Sequence, residues 1–222
     1  MSTTKRSTRR GGLFTSFEGG DGCGKTTQMR LLAERLRAGG YCVIETVEPG
    51  GTSIGDQVRR ILLNSANQEL SSVAELLLYF ASRAQNLEEL IWPGLARGAV
   101  VLTDRFTDST MAYQGFGRGL GQEAVVKLDR MVCRGLKPDL TLLLDIDPQT
   151  GLERARGRWL SGLETRMDDQ ALEFHNQVRK AYLAMAAREP KRFRVIDGHP
   201  DVQTVARAVW EAVQPALGRL HV

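Results

Sequence analysis

Gly19-Gly20-Asp21-Gly22-Cys23-Gly24-Lys25-Thr26 satisfies the pattern G-x-x-x-x-G-K-[ST], and Thr27 adds a second hydroxyl. Glycines let successive backbone N–H groups converge on phosphate oxygens without Cβ interference, and the N-terminus of a following helix adds partial positive charge. In such a loop Lys25 bridges the β- and γ-phosphates of a nucleoside triphosphate, and the Thr26 hydroxyl binds Mg²⁺. The surroundings suit this chemistry. The run Leu13 to Glu18 precedes the loop, and Met29, Leu32 and Leu36 follow at helical spacing. A turn that merely joins strand to helix would also use glycine, yet the full pattern arises by chance in on the order of one in a hundred chains of this length. Cys23 reads as a filler position rather than a reactive thiol.

The elements that must hold this loop alternate along the whole chain. Strands are expected at Leu13 to Glu18, Cys42 to Val47, Ala99 to Thr103, Leu140 to Asp145 and Phe193 to Ile196. Between them the period turns helical: Val73, Leu76, Leu77, Phe80, Ala84, Leu87 and Ile91, then Phe174, Val178, Tyr182 and Met185, then Val202, Val205, Val209 and Val213. Asp147-Pro148 reads as an N-cap with proline in the first turn. This alternation predicts an α/β fold with a five-stranded parallel sheet flanked by helices. Ligands of such a sheet lie beyond the carboxyl ends of its strands. Asp104-Arg105 stands at one such end, where a guanidinium can grip a phosphate through two parallel hydrogen bonds.

The 222 residues carry neither an internal repeat nor a low-complexity linker, which predicts a single domain over 13–218 behind a flexible basic tail, 1–12. A net charge of +4 suits an anionic ligand without demanding nucleic acid. Aromatic residues make up 6% and interleave with no basic stripe, so nucleic-acid binding is not expected. No run approaches the ~18–20 apolar residues of a membrane span, and the N-terminal pattern does not read as a signal peptide. Cys23, Cys42 and Cys133 lie far apart, and His175, His199 and His221 form no ligand cluster, His175 reading as a surface or boundary residue of a helix. A reducing cytoplasm is the expected location.

Further motifs follow in order: Glu48-Pro49-Gly50-Gly51-Thr52, Tyr79-Phe80-Ala81-Ser82-Arg83, Asp104-Arg105-Phe106, Ser109-Thr110-Met111-Ala112-Tyr113-Gln114-Gly115, and Pro138-Asp139 before the fourth strand. From Leu13 to about Val213 the chain resembles the thymidylate kinases, which convert dTMP to dTDP. The resemblance implies a P-loop NTPase-type three-layer sandwich with a mobile lid at about 154–169, a homodimer, and a reaction in which ATP with Mg²⁺ phosphorylates dTMP. It also implies roles. Residues Gly19 to Thr27 hold ATP, and Thr26 and Asp104 serve the metal, Asp104 through water. Lys25, Asp104, Arg105 and the lid arginines Arg158 and Arg166 carry catalysis; Arg154 and Arg156 belong to the same cluster. On the acceptor side, Arg105 holds the dTMP phosphate, Tyr79 stacks on thymine, Arg83 donates to a base carbonyl, and Glu48, Arg59 and Gln114 occupy further base-side positions. Ser109 and Thr110 reach the polar edge of thymine, Tyr113 crowds a ribose 2′-hydroxyl, and Asp21 reads the sugar 3′-hydroxyl. Two features depart from one branch or another of the family: Gly22 stands where some members carry arginine, and Val47 where bacterial members usually do. Other readings are a P-loop kinase with another acceptor, such as dUMP or a deoxynucleoside, and a nucleotide-regulated nucleic-acid-binding module.

Overall fold

Three of the strands are buried on both faces, and that fixes the order of the sheet. A computed structural model describes residues 11–159, 170–218 and 220, the side chains of 156–159 excepted. Residues 1–10 of the expected basic tail and most of the expected lid, including Arg166 and the side chains of Arg156 and Arg158, lie outside the described residues, while Gly12, expected in the tail, is buried against Ala99 and Leu95. Strands β1 (Leu13–Glu18), β2 (Val43–Val47), β3 (Val100–Asp104), β4 (Leu140–Asp145) and β5 (Phe193–Asp197) pair in parallel in the order β2-β3-β1-β4-β5. Each falls within a residue of its expected bounds. Strands β1, β3 and β4 lie inside and are apolar or hydroxyl-bearing almost throughout, whereas the edge β2 is mostly half-buried and the edge β5 carries exposed positions.

Alternate residues of each strand feed opposite layers. On one face Phe17, Val100, Leu102, Leu142 and Leu144 pack against α1 (Lys25–Ala38) and α9 (Val202–Leu217) through Leu32, Leu36, Val205, Val209 and Val213. On the other, Phe14, Val101 and Phe106 meet Leu87, Ile91, Leu95 and Cys133. In chain order that second layer follows α2 (Ser53–Leu63) with α3 (Ser72–Asn86), α4 (Trp92–Ala96), the short α5 (Thr107–Thr110), α6 (Gln122–Cys133), α7 (Pro148–Trp159) and α8 (Leu172–Arg188). The helical run expected from Val73 to Ile91 is not uniform. After α3 it becomes a π-turn, Leu87–Ile91, in which the Trp92 N–H bonds the Leu87 carbonyl five residues back. Pro93 follows at once; lacking an N–H, it cannot continue the ordinary ladder. A second π-segment, Met111–Gly117, continues α5.

Asp147 caps α7 as expected, its carboxylate accepting from the Thr150 N–H at 2.9 Å with Pro148 in the first turn. Among the described residues no helix is long and apolar enough to cross a membrane.

Candidate active site

The glycine loop leaves the carboxyl end of β1, the central strand, and enters α1 at Lys25. Gly22 and Gly24 have φ of 72° and 95°, in the left-handed region where a side chain is strained. Gly22 is also shut in. A Cβ there would stand 1.9 Å from the Gly151 carbonyl oxygen of α7, so an arginine at this position cannot be housed while α7 lies against the loop. Any cation that approaches from this side must come from elsewhere in the chain.

Lys25 is folded into its own loop, donating to the carbonyls of Gly19 at 3.2 Å and Gly20 at 2.7 Å. Reaching a phosphate therefore exchanges two neutral acceptors for a charged one, which forms the stronger hydrogen bond. One residue on, the Thr26 hydroxyl donates to Asp104 Oδ2 at 2.7 Å, joining the start of α1 to the end of β3. A hydroxyl and a carboxylate are hard oxygen donors that suit Mg²⁺, which takes few protein ligands and fills its shell with water and phosphate oxygens. Among the described residues no group of three or more His, Cys, Asp or Glu forms a cage for a metal.

Arg105 follows β3 in the left-handed conformation, φ 72°, which costs a non-glycine residue of order 1–3 kcal/mol. Hydrogen bonds pin it there: its N–H to the Phe17 carbonyl at 2.9 Å, its carbonyl to the Thr103 hydroxyl at 2.8 Å, and the next N–H, of Phe106, to Glu18 Oε1 at 2.8 Å. This bend turns the guanidinium back across the sheet end toward the glycine loop. Nη2 donates to Asp21 Oδ1 at 2.7 Å and to the Tyr113 hydroxyl at 3.4 Å, and Tyr113 donates to Asp21 Oδ2 at 2.9 Å. Burial pushes the Asp21 carboxyl up, but Arg105 and Lys25 outweigh it and hold the group down at about 2.

A second polar group lies under β2 and α3. Arg83 and Glu48 form an ion pair at 2.6 Å with side chains 1% and 2% exposed. Burial raises the Glu48 carboxyl despite Arg83, and Glu48 raises Arg83 against burial. Arg83 Nη2 donates to the Thr110 hydroxyl at 2.9 Å, while its Nη1 and Glu48 Oε1 have no hydrogen-bond partner among the described residues. Tyr79 lies half-buried one turn before Arg83 and, like Asp104, faces the charge of Arg59. Arg59 Nη1 donates to the Pro49 carbonyl at 2.6 Å, and Gln114 Nε2 to Glu75 Oε1 at 2.8 Å.

Ser109 and Thr110 separate. Thr110 stands with Arg83, whereas Ser109 turns to Glu18, Tyr182 and Arg105. Val47 lies half-buried at the end of β2, where Glu48 begins the turn into Pro49-Gly50-Gly51. Of the expected lid arginines with described side chains, Arg154 donates to the carbonyls of Gly198 at 2.9 Å and His199 at 3.2 Å.

Sequence reasoning singled out neither Glu18 nor Tyr182 for chemistry. Glu18 is a carboxylate at the end of a strand that is otherwise apolar or hydroxyl-bearing, and Tyr182 is a tyrosine in a stripe that phenylalanine would have filled. His175, expected at the surface or its boundary, is instead buried. It is 4% exposed on α8, which packs onto the π-segment at Met111–Gly117, and it lines a small pocket together with Asp21, Asp145, Arg179 and Tyr182.

A Lys-Thr glycine loop on the central parallel strand, with an arginine turned toward it from the neighbouring strand, defines a P-loop phosphotransferase. The family model described as thymidylate kinase matches residues 17–209. A thymidylate kinase of Pelobacter propionicus is 50% identical over 201 residues, 89% of this chain and 92% of that protein. One of Trichlorobacter lovleyi is 48% identical over 213 residues, 95% and 99% of the two chains. The crystal structure of thymidylate kinase from Ehrlichia chaffeensis superposes with a TM-score of 0.74 at 34% identity, covering 91% of this chain and 98% of that one. The chain belongs to the thymidylate kinase family.

Proposed function

We propose that this kinase transfers the γ-phosphoryl group of ATP to dTMP, giving dTDP and ADP; Thr26 and Asp104 would hold Mg²⁺. The observation that carries this reading is the 2.7 Å contact between Arg105 and Asp21, because it brings an acceptor-side arginine against the donor-side loop in one polar cluster. The acceptor is a phosphate monoester whose second pKa is about 6, so at neutral pH it needs no strong general base. The obstacle is repulsion between two polyanions, and the work of the site is to neutralise and align them. When bound, Mg²⁺ supplies charge neutralisation at the phosphates; the chain's own cations do the rest.

Lys25 leaves its loop carbonyls for the β- and γ-phosphates. Arg105 holds the dTMP phosphate, and Asp21, already paired to Arg105 and Tyr113, reads the 3′-hydroxyl while Tyr113 closes the space a 2′-hydroxyl would need. Tyr79 stacks on thymine. Arg83, with one donor left over, faces a base carbonyl, Thr110 acting through it; Glu48, Arg59 and Gln114 complete the base side, and Ser109 steadies Arg105. With Gly22 closed to a side chain, the cation over the transferring group comes from the lid, Arg158 or Arg166. Ile54 and Ile61 on α2 and Val73 and Leu77 on α3 remain largely exposed, which supports pairing with a second copy; sedimentation at micromolar concentration tests it.

The discriminating experiment is ADP release from ATP and Mg²⁺ across dTMP, dUMP, dCMP, dGMP and deoxynucleosides. Release that depends on dTMP and falls steeply with the others is expected. Equal rates with dUMP or with a deoxynucleoside would overturn the choice of acceptor.

A further inference from the structure

Beneath Arg105 three oxygens from three elements form a closed triangle. Ser109 Oγ lies 2.5 Å from Glu18 Oε2 and 2.7 Å from the Tyr182 hydroxyl, and that hydroxyl lies 3.0 Å from Glu18 Oε2. Glu18 comes from β1, Ser109 from α5 and Tyr182 from α8, and their side chains are almost wholly buried. Each edge is a hydrogen-bond contact, and each needs one hydrogen. Ser109 and Tyr182 bring one apiece, and Tyr182 keeps its own because burial pushes its ionisation well above the usual range. The neighbouring donors do not supply the third: Arg105 Nη1 points to Ser109 Oγ and the Tyr182 hydroxyl, and the Phe106 N–H points to the other oxygen of Glu18.

We propose that Glu18 is a positioning residue held as a neutral carboxylic acid, whose proton closes a ring of three hydrogen bonds beneath Arg105. The ring leaves the charge of the guanidinium free for an acceptor phosphate. An ionised Glu18 would add a further negative charge near an arginine that Asp21 and Asp104 already face, and it would weaken the pull on the incoming dianion. The other oxygen of Glu18 meanwhile fixes the main chain just after the left-handed Arg105. The charges facing Glu18 agree with the hydrogen count. Burial and then Asp108 on α5 push its carboxyl up, against Ser109, Arg105 and the Phe106 N–H, to about 8, and Asp108 is itself paired to Arg192.

The functional part of this inference rests on Arg105 as the phosphate contact; the protonation does not. Isotope-edited infrared spectroscopy of the full chain without nucleotide should show a protonated carboxyl band near neutral pH that is absent from Glu18→Gln and fades as pH rises through about 8. In Glu18→Gln the position stays uncharged, the amide oxygen still accepts from Phe106, and the two amide N–H groups donate to the two hydroxyls, one of which turns its own hydrogen out of the ring. Its KM for dTMP should therefore stay close to wild type at neutral pH. Above the titration the wild-type KM should climb, by at most about tenfold per pH unit, while kcat changes little, and Glu18→Gln should lack that limb. Glu18→Ala should raise KM at every pH. Absence of a Glu18-specific protonated band near neutral pH, or a Glu18→Gln as impaired as Glu18→Ala, would overturn the proposal. A band present without any dTMP-dependent activity would instead count against the acceptor reading alone.

Discussion

Arg83→Met should be the costliest single change outside the hydrophobic core, because it strands a carboxylate rather than merely removing a contact. Arg83 and Glu48 meet at 2.6 Å with almost no exposure, so loss of the guanidinium leaves the charge of Glu48 buried with one oxygen already unpartnered. Breaking a buried pair from one side costs about 3–5 kcal/mol. For a chain of this size that lowers Tm by about 6–20 °C. Urea denaturation and thermal melts of Arg83→Met, Glu48→Gln and the double variant measure it. The double variant should recover much of the loss, since no charge is then stranded. A pH series adds a signature. The stranded carboxyl has a folded-state pKa raised further above its unfolded value of 4.5, so the folded state binds the extra proton and stability falls as pH rises above that value. The deficit of Arg83→Met should therefore be smaller at pH 5 than at pH 8. A loss below about 1 kcal/mol, typical of an exposed pair, or a deficit unchanged when Glu48 is neutralised, would refute the reasoning.

Gly22→Ala should distort the loop, because the new methyl meets the Gly151 carbonyl oxygen at 1.9 Å and the backbone is left-handed. A strain of about 1–3 kcal/mol and weaker ATP binding are expected, measured by melts and calorimetry. Gly20→Ala, whose methyl meets nothing within 4 Å, should leave the melt unchanged. Asp21 has a folded carboxyl at about 2 against an ordinary 3.8, so its contribution is present above 3.8 and is lost as pH falls through 2. The stability gap between wild type and Asp21→Asn should close over that window in an acid titration. Asp108→Ala should free the Arg192 clamp, made at 2.5 Å and 3.0 Å, and loosen the turn that carries Ser109 and Thr110. A loss of about 1–3 kcal/mol with a raised KM for dTMP is expected from denaturation and steady-state kinetics.

The sheet was legible because burial and sequence pattern agree there. Strands β1, β3 and β4 are covered on both faces and so read as continuous apolar runs, and the turn chemistry around them sets their ends. The glycine loop was legible for a different reason: its function needs particular residues at consecutive positions. The interruption of the long helix at Leu87 was not read, although Pro93 stood in the sequence as its signal. Long-range polar contacts left still less trace. Asp108 and Arg192 are 84 residues apart, Glu18 and Tyr182 are 164, and no local spacing announces that either pair will meet. His175 and Tyr182 share a helical stripe with Val178, and periodicity reports that such positions face inward without saying what chemistry they meet.

A left-handed Arg105 is what would bring the acceptor phosphate within reach of the glycine loop. Single-turnover phosphoryl transfer from ATP to dTMP by Arg105→Ala, with ATP affinity measured alongside by calorimetry, tests it most directly. Transfer should slow by about a hundredfold or more while ATP affinity holds. Wild-type transfer in that variant, with the fold intact, would contradict the account.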